Sequence, residues 1–440
     1  MKPPKPGSRV GGVSLWRYWR LFRKDILSAQ PERLYRAKMA EFKTPFFRSF
    51  LVNELALVRR VLVERPSDFP KSDRVTRGLR PLLGQSVFVT NGAEWERQRR
   101  IINPAFEGGK LPHSFNAMLA AGEAAITRIV PGELNVEEMA SHATADVIFR
   151  TLFSIPIDDA VAAETYSAFR AFQREQPVAS VGALARWMPQ GGSLKARRAA
   201  KRLRGLIEVM VADRQKTIEA GNAPNDLATK IMTTLDPETG QGFSEAEMVD
   251  QVAIFFLAGH ETSAALLGWA LWCLAAASDW GDQVASEART FMENPEFSAL
   301  SSMSVTRNVL RETLRLYPPV PMFVREAQGE ERFRDRVVKP GAQVVISPWH
   351  LGRHEAYWPD PDAFDPARWK DGQPTPREAW LPFSTGARVC PGAGFAMAEA
   401  AVLLAALMAL FRFEVLDEPV PVAHLTVRSQ DGIRLRVVAR

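Results

Sequence analysis

The stretch Phe383-Ser384-Thr385-Gly386-Ala387-Arg388-Val389-Cys390-Pro391-Gly392 holds one of only two cysteines in a chain of 440 residues. A disulfide framework does not explain so isolated a cysteine. Arg388 lies two residues before the thiol, and glycines lie on both sides of it. Nearby donors and positive charge favour the thiolate, which is the form that ligates metals. The stretch therefore predicts a thiolate ligand; a buried cysteine in an ordinary turn is the alternative.

A helix is expected directly after this loop. The run from Ala400 to Phe411 is apolar and rich in Ala and Leu, which favours a helix. Pro391 suits an early helical position, and Gly386 and Gly392 let the backbone approach a flat ligand. Because a helix N-terminus stabilises an anion, the thiol just ahead of it is well placed to act as a thiolate, a known proximal ligand of haem iron.

A long buried helix is predicted from Ser244 to about Ala277. Ser244 and Glu247 form a capping-box pattern, and the residues that follow are apolar and lack proline. In the middle lies Ala258-Gly259-His260-Glu261-Thr262, where glycine weakens the helix by roughly 1 kcal/mol. A carboxylate in such apolar surroundings needs a partner or a task. A helix defect tolerated by packing is the alternative.

Further pairs of charged and aromatic residues have helical spacing. Glu312 and Arg315 are three residues apart and share one helical face, and the stretch Phe364-Asp365-Pro366-Ala367-Arg368-Trp369 follows later in the chain. Trp95 and Arg99 lie one helical turn apart. Taken alone, each pair is more simply an exposed ion pair or a solvated arginine.

Together these stretches resemble the motifs of the cytochrome P-450 superfamily, in the family's order and over roughly residues 40 to 440. The family's haem loop has the form Phe-x-x-Gly-x-Arg-x-Cys-x-Gly, and every fixed position is present. Ser384 departs from the glycine of many members, so we expect a slightly altered loop backbone. The resemblance implies a mainly α fold with a small β part, arranged as a single triangular helical domain around a buried haem.

The resemblance also implies a role for each matching residue. Cys390 would ligate the iron, Thr262 would hydrogen-bond the oxygen ligand, and Glu261 would relay protons. The implied structural triad, which would strand a buried charge if one member were lost, consists of Glu312, Arg315 and Arg368. The implied haem contacts are Trp95, Arg99, Ala258, Gly259, Arg325, Phe383, Arg388, Cys390 and Gly392.

The activity implied by the resemblance is that of a haem-thiolate monooxygenase, an oxidoreductase that inserts one oxygen atom of O₂ into a lipophilic substrate. The cofactor would be haem b. No flavin or iron–sulfur domain fits in the remaining sequence, so electrons would come from a ferredoxin and its reductase. A fatty acid, terpenoid, steroid or aromatic compound would each suit an apolar pocket. The expected pocket residues are Val87, Phe88, Val320, Met322 and Phe323.

Three other functions stay open at this point. A haem-thiolate enzyme that consumes peroxide would need no reductase, although the Glu261-Thr262 pair argues against it. A non-catalytic haem protein, such as a gas sensor or an electron carrier, would show no turnover. A steroid- or lipid-binding module would contain no haem and would not depend on Cys390.

The net charge of +6 has two candidate uses. The basic residues are scattered, with no aromatic-interleaved basic patch, which argues against a nucleic-acid partner. An acidic electron donor is the better fit. Candidates for a basic docking face that would steer it are Arg97, Arg100, Lys110 and Arg388.

Residues 1–40 are predicted as a basic and aromatic N-terminal segment, and residues 41–440 as the haem domain. The stretch Trp16-Arg17-Tyr18-Trp19-Arg20-Leu21-Phe22-Arg23 could lie on a membrane surface or pack on the domain as a helix. The sequence shows neither a secretory signal nor a run of transmembrane length. Two lone cysteines suit a reducing compartment. We therefore expect a cytoplasmic protein without a transmembrane anchor.

Two β-hairpins are predicted from strand-like runs that flank turn residues. One joins Val337-Val338 to residues 344–346 across Lys339-Pro340-Gly341. The other joins Thr426-Val427 to residues 435–438 across Asp431-Gly432.

Overall fold

The computed structural model describes residues 1–44, 47–107, 111–175, 194–371, 373 and 376–440. These residues are mainly helical with small β-sheets, which confirms the predicted fold class. The helices are α1 (Leu15–Lys24), α2 (Leu55–Arg59), α3 (Asp73–Leu83), α4 (Gly92–Phe106), α5 (Leu111–Thr127), α6 (Val136–Phe153), α7 (Ala160–Glu175), α8 (Leu194–Glu219), α9 (Leu227–Thr233), α10 (Glu245–Phe255), α11 (Glu261–Ala276), α12 (Ser278–Glu293), α13 (Ser304–Leu316), α14 (Pro348–Leu351) and α15 (Ala393–Leu410). The strands are β1 (Met39–Lys43), β2 (Arg48–Val52), β3 (Gly132–Asn135), β4 (Phe323–Glu326), β5 (Glu331–Phe333), β6 (Arg336–Val338), β7 (Gln343–Ile346), β8 (Phe411–Val415), β9 (Pro421–Ala423), β10 (Val427–Ser429) and β11 (Arg434–Ala439).

The chain divides into two compact units. The first unit comprises Met1–Phe69, Met118–Ala143 and Glu261–Arg440, and the second comprises Pro70–Ala117 and Thr144–His260. The predicted division into residues 1–40 and 41–440 stays a prediction.

The first unit contains the β-sheets. One sheet has the order β1-β2-β7-β4. β2 and β7 are parallel, whereas β1 is antiparallel to β2 and β4 is antiparallel to β7. Both predicted hairpins are wrong in their pairing, because β6 pairs with β5 and β10 pairs with β9. Gly341 and Gly432 do form turns with positive φ. The strands beyond those turns, β7 and β11, pair with distant segments that local spacing does not reveal.

The helical core of the first unit is formed by α11, α12, α13 and α15. α15 is apolar on all sides, as expected of a helix surrounded by protein. By length and composition, α15 and the stretch Glu245–Ala276 are two helical segments apolar enough to cross a membrane. However, 67% and 78% of their apolar windows is buried inside the protein.

In the second unit, α8 packs against α3, α7 and α10, and α4 packs against α9. The predicted capping box is present: the Ser244 hydroxyl accepts from the Glu247 N–H at 3.3 Å, and the Glu247 carboxylate accepts from the Ser244 N–H at 2.8 Å. The predicted long helix follows this cap. It consists of α10, a π-helical turn over Phe256–His260, and α11.

Candidate functional site

Cys390 lies in a tight loop just before α15. Its backbone N–H donates to the carbonyl of Phe383 at 2.9 Å and closes the loop. Gly386 has a φ of +70°, and a Cβ at this position would lie 2.2 Å from the carbonyl oxygen of Leu62. Only glycine fits there. The loop presents the Cys390 thiol, which is exposed, just before the first residue of α15.

Ser384 shows how the loop accommodates a residue other than glycine. Its φ is +62°, in the left-handed region that glycine adopts freely. For an L-residue this conformation costs roughly 1–2 kcal/mol. The serine therefore adopts a glycine-like backbone, and its hydroxyl oxygen is buried without an acceptor or donor among the described residues.

Two arginines near this loop have different surroundings. Arg388 donates to the carbonyl of Pro66 at 2.8 Å. Arg325, in β4, is only 7% exposed, and its Nη1 reaches the carbonyl of Val324 at 3.3 Å. Its Nε has no acceptor, and no described carboxylate forms an ion pair with it. Burial lowers the pKa of Arg325 to about 10, with the charge of Arg388 as the second cause.

These donors fit the group that the sequence resemblance implies. A buried guanidinium without an anionic partner is costly, since desolvation of a charge needs compensation. Haem brings two carboxylates for such donors and an iron for the Cys390 thiolate. Arg325 and Arg388 are therefore suited to hold its carboxylates, and the residues present fit the cofactor.

The predicted oxygen-activating segment departs from regular helix geometry. Phe256–His260 forms a π-helical turn, a local widening that is frequent at functional sites. A Cβ on Gly259 would lie 2.5 Å from Cδ1 of Ile148, so glycine permits the close approach of α6. The Thr144 hydroxyl donates to the carbonyl of His260 at 3.2 Å. Of the predicted site residues, this turn contains Ala258 and Gly259.

The first residues of α11 are the predicted proton-relay pair. Glu261 is 6% exposed, and its carboxylate accepts from Nη2 of Arg428 at 2.8 Å. Thr262 is half-buried. The Arg428 side chain, in β10, is 30% exposed, so it connects a buried carboxylate with the solvent. No sequence pattern pointed to Arg428, because its contact with Glu261 depends on the pairing of β9 and β10.

A second buried carboxyl lies between α11 and α15. The Ser263 hydroxyl donates to Oε2 of Glu399 at 2.5 Å, and Oε1 has no partner within the described ranges. Burial raises the pKa of Glu399 to about 8, opposed by the Ser263 hydrogen bond. Glu399 is therefore neutral at pH 7. It links the helix that carries Thr262 to the helix that follows Cys390, and no sequence signal identified it.

The predicted triad is a dense network around Glu312. Arg315 Nε and Nη2 donate to the two carboxylate oxygens at 2.9 and 2.7 Å, and Arg368 Nε donates at 3.3 Å. The Trp369 indole and the Asp365 N–H add two donors at 2.9 Å each. Both Glu312 and Arg315 are essentially inaccessible to solvent.

Every hydrogen-bond donor of the Arg315 guanidinium has an acceptor. The remaining donors of Arg315 reach the carbonyls of Gly352, Pro361 and Ala363 at 2.6 to 2.7 Å. All five N–H groups of this guanidinium are therefore used. Such a network holds α13 against the segment Pro366–Trp369 and leaves no N–H of Arg315 for a ligand.

Trp95 and Arg99 lie in α4 of the second unit, as the helical spacing predicted. Trp95 is buried, and Nζ of Lys71 lies 5.7 Å from the centre of its ring.

The first predicted pocket residue, Val87, is held by backbone hydrogen bonds. Its carbonyl accepts from Lys71 Nζ at 2.6 Å, and its N–H donates to Gln251 at 3.0 Å. Phe88, next to it, is 42% exposed. The remaining predicted pocket residues lie in the first unit and are half-buried: Val320, Met322 and Phe323.

Two of the three arginines predicted for the basic docking face, Arg97 and Arg100, have acidic partners. Arg97 forms an ion pair with Glu247, and Arg100 binds Asp236 at 2.5 and 3.0 Å. These cations are neutralised by partners in the second unit. The fourth candidate, Lys110, lies outside the described residues.

Comparisons with known proteins identify the family of this chain. The family model described as Cytochrome P450 matches residues 31–435. The cyclooctat-9-en-7-ol 5-monooxygenase of Streptomyces melanosporofaciens is 32% identical, over 85% of this chain and 81% of that protein. Cytochrome P450 4A14 of Rattus norvegicus is 29% identical, over 84% and 78%. The cytokinin hydroxylase of Arabidopsis thaliana is 26% identical, over 87% and 77%. The chain therefore belongs to the cytochrome P450 family and is a haem-dependent monooxygenase of lipophilic substrates that uses O₂ and a redox partner.

Proposed function

We propose that this monooxygenase binds haem b through Cys390 and that Glu261 and Thr262 manage the protons of the reaction. Haem supplies the activation of O₂ and the oxidation of the substrate. The protein supplies the thiolate, the donors for the haem carboxylates and the proton path. Trp95 and Arg99 stay haem contacts that the family resemblance implies.

The observation that carries the proposal is the buried guanidinium of Arg325. It shares its surroundings with a second cation, Arg388, and the two charges repel each other. Two neighbouring cations, one of them two residues before the Cys390 thiol, are suited to a ligand with carboxylates and a thiolate-binding metal.

The proton path rests on the start of α11. The Thr262 hydroxyl is both a donor and an acceptor, and Glu261 is the adjacent buried carboxylate. Arg428 holds that carboxylate in place and extends towards the solvent. We infer that Glu261 exchanges protons at its carboxylate oxygens when the Arg428 contact opens, and that Thr262 passes them on through its hydroxyl.

The electron donors proposed for this chain are a ferredoxin and its reductase, and the proposed location is the cytoplasm.

The names of two relatives suggest which substrates to test first. They are named cyclooctat-9-en-7-ol 5-monooxygenase and cyclooctatin synthase. Lipophilic cyclic alcohols therefore lead the substrate panel, followed by fatty acids, steroids and aromatic compounds. A spin-state change of the haem on binding identifies the compounds that reach the iron.

The proton-path assignment is tested with Thr262→Ala and the matched variant Thr262→Ser. Thr262→Ala removes the hydroxyl, so NAD(P)H consumption continues while product falls and peroxide is released. Thr262→Ser keeps a hydroxyl and retains most of the coupling. Product per NAD(P)H and released peroxide are measured with ferredoxin and reductase present. Equal coupling in wild type and Thr262→Ala would remove Thr262 from the path.

A peroxide-consuming enzyme is distinguished by its electron source. With reduced ferredoxin and O₂, the proposed enzyme forms product at a rate that depends on both components. With peroxide alone, product formation is slower and does not respond to Thr262→Ala. Turnover that needs only peroxide would assign the protein to the alternative function.

A further inference from the structure

α1 presents a cationic surface that the monooxygenase reaction does not explain. The helix is capped at its start, where the Ser14 hydroxyl accepts from the Arg17 N–H at 3.3 Å, and it ends at Asp25, whose N–H donates to Leu21. It contains no acidic residue. Its exposed side chains, called the α1 face below, are Trp16, Arg17, Arg20, Arg23 and Lys24.

The charges of the α1 face are uncompensated. Within the described part of the chain, none of its four cations forms an ion pair. Many other arginines do so, including Arg48 with Glu41 and Arg100 with Asp236. Four positive charges on ten residues therefore remain available to an anionic partner.

An exposed tryptophan lies among these cations. Trp16 is 68% exposed, and its ring centre lies 4.9 Å from that of Trp19. The guanidinium of Arg23 lies 4.9 Å from the centre of the Trp19 ring. Indole rings favour the lipid headgroup region, and long basic side chains reach lipid phosphates from the same depth. At about 15 Å, α1 is too short to cross a hydrocarbon core, so it would lie along the surface.

The end of α1 is fastened to the first unit. The Asp25 carboxylate accepts from the N–H groups of Leu27, Ser28 and Ala423 at 2.8 to 3.1 Å. The Ile26 N–H donates to the carbonyl of Ala423, in β9. β9 pairs with β10, and Arg428 of β10 donates to Glu261. Hydrogen bonds therefore attach the end of α1 to the strand pair that contacts the proposed proton path.

We propose that the α1 face binds the surface of an anionic lipid bilayer. Charge complementarity favours this partner, and a single exposed indole among cations suits a headgroup layer better than an apolar protein groove. The bilayer then lies next to the strand pair that contacts Glu261, and the proposal does not depend on which substrate the enzyme oxidises.

The test measures the partitioning of the full-length, haem-loaded protein onto vesicles. Sedimentation with phosphatidylcholine vesicles containing about 30% phosphatidylglycerol is compared with pure phosphatidylcholine, at low and high salt. Since each charge contributes roughly fivefold to partitioning, a fourfold α1 variant loses about two to three orders of magnitude. Trp16→Ala loses several-fold. The fourfold variant combines Arg17→Gln, Arg20→Gln, Arg23→Gln and Lys24→Gln.

A matched control removes the same charge from another exposed helix. It combines Lys195→Gln, Arg198→Gln, Lys201→Gln and Arg202→Gln in α8. This control keeps vesicle binding within a few-fold of wild type, and unchanged haem absorption and thermal unfolding show that both variants are folded. Equal binding to both vesicle types, or equal losses in both fourfold variants, overturns the proposal. A fourfold α1 variant that still binds vesicles but loses affinity for an acidic ferredoxin would instead assign the face to a protein partner.

Discussion

The Glu312 triad and the Arg325 region both contain a buried arginine, but only the triad provides that arginine with a carboxylate partner. Around Glu312, every N–H of Arg315 has an acceptor, and the carboxylate faces two cations. Around Arg325, burial and the repulsive charge of Arg388 both lower the pKa of the guanidinium, and its Nε has no acceptor in the described chain. The closed network stabilises the fold, whereas the open one is suited to a ligand.

Glu312→Gln is expected to have the largest effect on stability. It removes the negative charge that compensates the buried guanidinium of Arg315 and the partly buried one of Arg368, which costs about 3–5 kcal/mol in the free energy of unfolding. Glu133→Gln is the control, because its partner Arg434 is half-exposed and such a pair contributes about 0.2–1 kcal/mol. Urea unfolding of the haem-free proteins gives both values. A loss below that of the control would show that the triad is not a structural network.

Arg325→Met is expected to separate stability from ligand binding. Because the variant removes an uncompensated buried cation, the haem-free protein keeps its stability or gains about 1 kcal/mol. Haem affinity falls by about tenfold to a hundredfold, as for other groups that support a metal ligand set. Haem transfer to an acceptor protein measures the affinity, and urea unfolding measures the stability.

The comparison variant for that experiment is Arg315→Met. It should destabilise the haem-free protein by several kcal/mol, since it strands the Glu312 carboxylate. If Arg325→Met were as destabilising as Arg315→Met, the distinction between the two regions would fail.

Glu399 provides a third case, a buried carboxyl that stays neutral. Its pKa is raised from 4.5 to about 8, so the folded protein keeps a proton that the unfolded chain loses. The free energy of unfolding therefore falls as the pH rises above 4.5, the pKa of Glu399 in the unfolded chain. The fall ends once the pH exceeds about 8, the pKa in the folded protein. Between about pH 6 and pH 9 the loss is about 3 kcal/mol. Glu399→Gln removes this slope, and equal slopes in both proteins would refute the assignment.

Ser384→Gly is expected to have the smallest effect. Glycine relieves the left-handed strain of roughly 1–2 kcal/mol but loses more backbone entropy on folding, so the net gain is about 0.5–1 kcal/mol. Thermal unfolding should show a small rise in Tm, with unchanged haem absorption. A lower Tm would mean that the Ser384 hydroxyl contributes a contact of its own.

The sequence predicted those features that depend on residue type at fixed spacing. The loop of Cys390, the capping box of Ser244 and the helical pairing of Glu312 with Arg315 are of this kind. Contacts between distant segments were not predictable. Arg428 reaches Glu261 only because β10 pairs with β9, and Ser263 reaches Glu399 only because α11 packs on α15. The hairpin predictions failed for the same reason, since turn chemistry locates a bend and not the strand that pairs beyond it.

The ligation of haem by Cys390 is tested most directly by the absorption spectrum of the reduced protein under carbon monoxide. Wild type should show the strongly red-shifted Soret band of thiolate-ligated haem, Cys390→Ala should lose it, and Cys273→Ala, which alters the buried second cysteine, should retain it. A wild-type spectrum like that of a histidine-ligated globin, or a protein without pigment, would contradict the account.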